Sequence, residues 1–302
     1  MSITIIKLIA AFTMLLDHIA AVFGVAGWCF FSGEMLRNIG RIAFPLFAFA
    51  IVNGWYHTKD KQKYFSKIAL FAAISQIPYS LAFSTTNTML LKAGERLYYI
   101  GLSYKWTVLL FFVVIILLNY CFMKKNNIAL EQYHIILFLL FLFNSVMVKI
   151  NGIWVLYDTL NVLNTFLCGL LILHHYEYIK KNSIDKKCVC SVINSMVFVL
   201  LCFFRADYGD YFAGIALVLL LYFAYGKKVM GSIVIIIWAF VLYAVIYTNL
   251  ENALFSMLSI LFVLLYNEHK LPKFKNFFYV WYPFHILVIG IISVIIKMGI
   301  KL

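Results

Sequence analysis

Long apolar segments separated by short polar connections run along nearly the whole chain. Their apolar residues are continuous rather than alternating, which favours membrane-spanning helices over the strands of a transmembrane barrel. Since a spanning helix needs about 20 apolar residues, the chain has room for about eleven. We predict spans at about 3–24, 38–57, 64–84, 105–123, 132–148, 152–173, 189–204, 210–225, 229–248, 251–266 and 277–297.

The composition agrees with this pattern. Of the 302 residues, 65% are hydrophobic and only 12% are charged, whereas about a quarter of the residues of a soluble domain are charged. Too few polar side chains are available to cover a soluble globule, so a soluble enzyme is excluded. We predict an all-α fold, a polytopic transmembrane bundle of about 10–11 helices that forms a single domain over residues 1–302.

The net charge of +13 follows the positive-inside rule of membrane proteins and does not indicate nucleic-acid binding. The connections that follow the even-numbered spans carry 15 of the 25 lysines and arginines. This bias predicts a cytoplasmic amino terminus.

The first span contains two ionisable residues, Asp17 and His18, within the apolar run MLLDHIAAVF. An ionisable side chain in a span costs roughly 2.5–3.5 kcal/mol on insertion scales and by default marks a functional site. Imidazole titrates near neutral pH, so His18 is suited to accept a proton from an attacking amine or hydroxyl. The alternatives are a structural hydrogen bond between helices and a proton relay, as in a transporter.

Arg41 opens the second predicted span at about the same external level as His18. Its guanidinium either extends to the interface or pairs with an internal carboxylate such as Asp17. Three further residues at predicted external ends are candidates for binding an acceptor: Asp207, Tyr208 and Trp106. A loop acid such as Asp207 is equally suited to cap the helix that follows.

The predicted cytoplasmic ends of the second and last spans are basic and aromatic. This inner mouth suits an anionic, purine-bearing ligand, although lysines suit lipid headgroups equally well. Its candidate ligand-binding residues are His57, Lys59, Lys67, Tyr282 and His285. The chain shows no spacing typical of metal ligands, so we predict no metal.

Five motifs carry a family resemblance, and they span most of the chain. They are DH at 17–18, GRIAFPLFAFAIVNGWYHT at 40–58, ISQIPY at 74–79, ADYG at 206–209 and FYVWYPFH at 278–285. In this order they resemble the TraX family of conjugal transfer membrane proteins, which are linked to amino-terminal acetylation of pilin.

The resemblance implies a multi-pass protein of the bacterial plasma (inner) membrane, within a wider group of transmembrane acyltransferases. That group implies cytoplasmic acetyl-CoA as the donor and an acceptor on the far side of the bilayer. By resemblance, His18 matches the group's intramembrane histidine, Arg41 an arginine of the catalytic region, and Lys67 a basic residue for the donor phosphates. Asp17 is expected to orient His18 or to stabilise its protonated form.

Three functions are therefore open at the level of the sequence. The first is acetylation of the amino terminus of an exported pilin-like protein or peptide. The second is O- or N-acetylation of a cell-surface glycan. The third is a transporter or assembly protein without catalysis, in which Asp17, His18 and Arg41 form a proton-transfer or structural network.

Overall fold

The structure is a computed structural model. It describes residues 1–24, 33–87, 98–102, 106–128, 132–150, 153–157, 159–182, 184–208, 212–268 and 277–299. Within these residues the protein is mainly helical, and its contacts group into two compact units. The first unit contains residues 1–57, 81–89 and 216–302, and the second contains residues 58–80 and 90–215.

The helices agree with most of the predicted spans. They are α1 (Ile3–Phe23), α2 (Gly33–Gly40), α3 (Ala43–His57), α4 (Lys61–Asn87), α5 (Trp106–Lys125), α6 (Gln132–Asn144), α7 (Val162–Lys181), α8 (Lys186–Arg205), α9 (Ala213–Phe223), α10 (Lys228–Ala239), α11 (Leu250–Met257), α12 (Ser259–Leu264) and α13 (Phe277–Gly299). Among the described residues, five helical stretches are long and apolar enough to cross a membrane: 3–23, 33–57, 107–125, 228–246 and 277–296. The predicted helical membrane bundle is confirmed.

The first unit is organised around α1, which contacts α2, α3 and α13. Ser2 caps the start of α1 by accepting a hydrogen bond from the backbone N–H of Ile5. The helix ends at Gly24, whose left-handed backbone (φ 51°) is one that glycine adopts without steric cost. Further contacts join α11 to α2 and α3, and α12 to α3 and α10.

The second predicted span is two helices rather than one. Helix α2 ends at Gly40 and α3 begins at Ala43, so Arg41 lies in the break between them. Pro45 is the third residue of α3, where its missing N–H removes no hydrogen bond of the helix. A π-helical turn, Phe240–Ile246, follows α10 in the same unit and carries the buried Tyr243.

The second unit contains a small sheet that the all-helical prediction lacks. Strands β1 (Tyr98–Leu102), β2 (Val146–Ile150) and β3 (Ile153–Leu156) pair antiparallel in the order β1-β2-β3. The predicted spans 132–148 and 152–173 were wrong at these residues, because the apolar stretch 146–156 folds into strands and α7 starts only at Val162. In this unit, α8 packs against α5, α6 and α7.

Candidate active site

Two histidines from the first and last long helices meet inside the first unit. The ring nitrogens His18 Nδ1 and His285 Nε2 lie 3.0 Å apart, and the two rings stack nearly parallel, with centroids 5.1 Å apart. Both side chains are buried. Phe83, in the part of α4 that belongs to this unit, packs edge-on against His18 with a centroid distance of 5.1 Å.

The hydrogen bonds of this pair assign a proton to each ring. His285 Nδ1 lies 2.7 Å from the backbone carbonyl oxygen of Trp281, which can only accept, so His285 Nδ1 carries the proton. In a neutral ring the Nε2 of His285 is then an acceptor, so His18 Nδ1–H donates to it. The remaining nitrogen of His18, Nε2, therefore has a lone pair and can accept a proton.

Asp17, the neighbour of His18 in sequence, belongs to a separate cluster. Its Oδ2 is 2.7 Å from Arg37 Nη1 and its Oδ1 is 3.4 Å from Arg41 Nη2. Successive helical residues diverge by about 100°, so the two side chains leave α1 in different directions. Among the described residues Asp17 makes no hydrogen bond to His18, and the three charges of the cluster sum to +1.

Close packing holds this charge cluster in place. A Cβ added at Gly40 would lie 2.2 Å from the Cβ of Asp17, so the carboxylate lies directly against the backbone of α2. The Arg41 guanidinium lies over the ring of Tyr243, 6.0 Å from the centroid. This distance is within the range of a cation–π interaction.

The one lysine of α1, Lys7, lies on the same face of the helix as His18. Lys7 precedes His18 by eleven residues, which is about three turns, and the helix rises roughly 16 Å between them. Its Nζ lies 5.7 Å from the ring centroid of Phe278 on α13. Among the described residues no carboxylate pairs with Lys7. Because Lys7 meets Phe278 and His18 meets His285, α1 and α13 run in the same direction.

An aromatic cluster closes the predicted cytoplasmic end of the first unit. Tyr56 stacks on Tyr225 with a centroid distance of 3.7 Å and on Tyr222 at 4.9 Å. The Tyr225 hydroxyl lies 3.3 Å from His57 Nδ1, which is also 2.9 Å from the Asn53 carbonyl oxygen. Burial, with smaller effects from other groups including Glu268, raises the pKa of Tyr225 to about 12.

The family of the protein is decided by comparison with known families. The model of the TraX protein family matches residues 2–158 and 111–293. The chain belongs to the TraX family. The resemblance carried by the five motifs is thereby confirmed.

One similar protein is named for fimbrial assembly. A stretch of 105 residues is 34% identical to the probable fimbrial assembly protein FimC, serogroup H1, of Dichelobacter nodosus. The match covers 32% of this chain and 42% of that protein, so less than half of the relative's length is spanned. No solved structure matches the chain.

In this TraX-family protein the structure brings together some of the residues that the sequence singled out. Asp17 and Arg41 are ion-paired, and His285 lies against His18 rather than beside His57. Tyr282 is buried, with its ring 5.9 Å from that of His285. Of the two residues predicted at the inner mouth of the last span, His285 therefore forms the histidine pair and Tyr282 lies beside it.

The other predicted residues lie in the second unit. Lys59 is exposed before α4, and Lys67 is half-buried on the second turn of α4. Asp207 is held by its backbone, since its N–H donates to Leu160 and its carbonyl oxygen accepts from Thr165 Oγ1. The carbonyl oxygen of Tyr208 accepts from the N–H of Gly214, and Trp106 starts α5 with its side chain outside the described part.

Sequence reasoning missed two cations of the first unit. Lys7 could have been found from the sequence, because a spacing of eleven residues places it on the same helical face as His18. Arg37 was assigned to a connection, and its pairing with Asp17 depends on helix α2, which begins before the predicted start of the span at residue 38. Within the described residues no group of three or more His, Cys, Asp or Glu side chains is placed to hold a metal ion.

Proposed function

We propose that this protein is a membrane acetyltransferase that uses acetyl-CoA as its cytoplasmic substrate and acetylates an acceptor on the external face. The favoured acceptor is the amino terminus of an exported pilin-like protein or peptide. Membership of the TraX family and the similarity to a probable fimbrial assembly protein support this acceptor. The observation that carries the proposal is the buried pair of His18 and His285, in which the tautomers leave Nε2 of His18 as a base.

The proposed reaction is direct transfer. A neutral acceptor amine attacks the thioester carbonyl carbon, and His18 Nε2 takes the proton that the amine loses. The tetrahedral intermediate then expels the sulfur of CoA, which takes the proton back from His18 and leaves as the thiol. One C–N bond forms, one C–S bond breaks, and the enzyme is regenerated. An acetyl-histidine intermediate on His18 is the alternative route, and it predicts ping-pong kinetics.

His285 acts in this proposal as a positioning residue. It accepts the Nδ1–H of His18, which fixes the tautomer of His18 and stabilises the imidazolium that forms during the reaction. The Trp281 carbonyl in turn fixes the tautomer of His285. This chain of hydrogen bonds plays the part that a histidine–acid pair plays in other acyl-transfer sites, with a neutral imidazole in place of the acid.

The charge cluster supplies positive potential near the reacting groups. Asp17 neutralises only one of the two arginines, and the half-buried cluster retains one net positive charge. A fixed positive charge stabilises an oxyanion more strongly in a dry site than in water. We assign this electrostatic role to Arg41, which Asp17 and Tyr243 hold in place.

The separation of Lys7 and His18 fits an elongated donor. An extended pantetheine arm reaches about 15–20 Å, and the bilayer core is roughly 30 Å thick. With a phosphate of CoA at Lys7, the thioester would reach the level of His18, roughly 16 Å farther along α1. In the aromatic cluster of Tyr56, Tyr222 and Tyr225, Tyr56 is exposed and offers ring surface at the predicted cytoplasmic end.

The test is release of free CoA thiol by the detergent-purified protein, with peptides that have free amino termini and with glycans as separate acceptors. We expect acceptor-dependent release with the peptides, and a 10²- to 10⁴-fold slower rate in His18→Ala, the range that a general base contributes. His134→Ala, which removes another buried histidine, is the matched control and should retain the rate.

The outcomes separate the three functions. Release that requires a glycan would replace the peptide with the second acceptor class. If folded wild-type protein neither releases thiol nor is stabilised by CoA, the enzyme proposal is wrong. The internal charges would then belong to a transporter or an assembly protein.

A further inference from the structure

An apolar groove of about 180 Å³ is present in the second unit, where α5, α6 and α8 line it. The rings of Phe141 and Phe198 form buried parts of its wall. Phe112 of α5 packs edge-on against Phe141 of α6 with a centroid distance of 6.3 Å, towards the predicted external end of the two helices. The lining residues of α5 extend from Ile116 to Met123, a rise of about 10 Å, so the groove is elongated along the helix.

The groove opens onto the outer surface of the unit. Leu117, Tyr120 and Ile135 line it, and all three side chains are exposed. Helix α5 is long and apolar enough to cross a membrane, so an opening beside its exposed face meets the hydrocarbon of the bilayer. An apolar cavity of about 150 Å³ stays dry and takes up small apolar molecules. The wall of this groove therefore suits a hydrocarbon chain.

One amide in the groove has hydrogen-bond donors to offer. Asn119 Nδ2 lies 2.7 Å from the backbone carbonyl oxygen of Cys190, which can only accept, and the same nitrogen donates to Asn194 Oδ1 at 2.9 Å. The amide oxygen of Asn194 is thus engaged. Asn194 lines the groove, and among the described residues no acceptor receives a hydrogen bond from its NH2 group. An occupant with a carbonyl oxygen at this level would satisfy these donors.

A lysine extends the groove face of α5 towards the predicted cytoplasmic side. Lys124 follows Leu117 by seven residues and Tyr120 by four, so it lies on the same face of the helix as these two lining residues. Its side chain is exposed, and it makes no ion pair with the described residues.

Helix α8 brings a second lysine to this end of the groove. Lys186 is exposed, and its Nζ donates to Asn126 Oδ1 at 2.9 Å, so it lies against the end of α5. The acid beside it, Asp185, caps α8 by accepting a hydrogen bond from the N–H of Cys188 at 2.7 Å. Together with Lys125 and Lys187, the two helix ends carry four lysines and one aspartate, a net charge of +3.

We propose that this groove binds an anionic phospholipid of the cytoplasmic leaflet. One acyl chain lies along the apolar wall, an ester carbonyl accepts from Asn194, and the phosphate binds Lys124 and Lys186. Asn194 is eight residues beyond Lys186, a rise of about 12 Å, part of which a long lysine side chain covers. The order of cation, donor and apolar wall is the order of headgroup, ester and chain in the lipid.

The site is independent of the proposed acetyl transfer, since it belongs to the second unit and the histidine pair belongs to the first. It is also a lipid site rather than a site for free phosphate. A free phosphate would contact the lysines alone and would leave the groove and the Asn194 amide unused. Basic residues near the membrane surface favour anionic lipids over zwitterionic ones.

The test is native mass spectrometry of the full-length, detergent-purified protein titrated with dioleoyl phosphatidylglycerol or dioleoyl phosphatidylcholine. These lipids have the same chains and differ in headgroup charge. We expect the anionic lipid to bind at least about tenfold more tightly. Excess inorganic phosphate should not displace it.

Two variants examine the two ends of the site separately. Leu117→Trp fills the groove from an exposed position and should weaken phosphatidylglycerol binding at least about tenfold. Leu118→Trp makes the same change at the next residue, which is exposed but does not line the groove, and should leave the affinity unchanged.

The second variant, Lys124→Gln combined with Lys186→Gln, removes two exposed charges and leaves the helix packing intact. At about fivefold for each lysine, we expect affinity for phosphatidylglycerol to fall roughly thirtyfold. Lys180→Gln combined with Lys181→Gln removes two exposed lysines at the end of α7 and is the matched control.

The outcomes decide between this site and general contact with lipid. Equal affinity for the two lipids, displacement by inorganic phosphate, or equal binding by Leu117→Trp and Leu118→Trp would overturn the proposal. Unchanged affinity in the variant of Lys124 and Lys186 would overturn it as well, and this variant changes only the surface of the fold. Selective loss in both groove variants, with both controls binding as the wild type does, is the result that supports it.

Discussion

Replacing His285 tests how the histidine pair works. In His285→Ala, the Nδ1–H of His18 loses the acceptor that lies 3.0 Å away. A buried donor left without a partner costs about 1–3 kcal/mol. If the intact pair supplies this stabilisation to the protonated His18 of the transition state, the turnover rate should fall about 5-fold to 150-fold.

The kinetic pattern distinguishes positioning from a general loss of structure. Since His285 acts on the protonation of His18, we expect kcat to fall while the KM for acetyl-CoA stays within a factor of two or so. His285→Gln should recover much of the lost rate, because its amide oxygen can accept a hydrogen bond at about the position of Nε2. The assay is thiol release at saturating acceptor and varied acetyl-CoA.

A second buried histidine provides the control. His175 lies in the other unit, with its Nε2 2.7 Å from Ser195 Oγ. We expect His175→Ala to lower the thermal unfolding midpoint, as His285→Ala does, but to leave kcat unchanged. The reasoning is refuted if His285→Ala retains full kcat, or if His285→Gln is as slow as His285→Ala in protein that remains folded.

Three further predictions concern other parts of the first unit. Lys7→Gln should raise the KM for acetyl-CoA about tenfold while Lys7→Arg retains it, measured by thiol release; equal KM values would remove Lys7 from donor binding. Gly40→Ala should lower the thermal unfolding midpoint and the activity, because its Cβ would lie 2.2 Å from that of Asp17; a fully stable, active variant would contradict this packing. Burial raises the pKa of Tyr225 to about 12, so between pH 10 and 12 its phenol is protonated in the folded protein and largely ionised in the unfolded chain. The free energy of unfolding should therefore fall as the pH rises from 10 to 12. In Tyr225→Phe it should fall less steeply in unfolding scans, and an equal slope would contradict the shift.

The sequence was sufficient to find the ionisable residues of the site, but not all of their partners. Asp17, His18 and Arg41 stood out because a charge inside an apolar span is costly. The pairing of Asp17 with Arg41 was one of two readings left open, and the structure supports it. The second partner, Arg37, depends on a short helix whose start the apolar pattern does not mark.

The partner of His18 could not be predicted because the sequence does not fix the axial offset of two helices. His18 is fifteen residues into α1, whereas His285 is eight residues into α13, a difference of roughly 10 Å in rise. Counting residues from the helix starts therefore placed His285 nearer the inner mouth. The contact of Lys7 with Phe278 and that of His18 with His285 establish the actual register of the two helices.

The sheet of the second unit illustrates a different limit. Apolar residues at 146–150 and 153–156 are as suited to a span as to strands when only hydropathy is considered. Their β-branched content and the Asn-Gly pair between them are typical of a hairpin and indicate strands. The predicted spans 132–148 and 152–173 rest on hydropathy alone and do not use these local signals.

The central claim is that acetyl crosses the bilayer from a cytoplasmic donor to an external acceptor at His18. The most direct test places acetyl-labelled CoA inside sealed proteoliposomes and a membrane-impermeant peptide with a free amino terminus outside, for protein of known orientation. We predict labelled peptide outside with wild-type protein and a 10²- to 10⁴-fold lower rate with His18→Ala. Labelling only when donor and acceptor share a compartment, or equal labelling by His18→Ala, would contradict the claim.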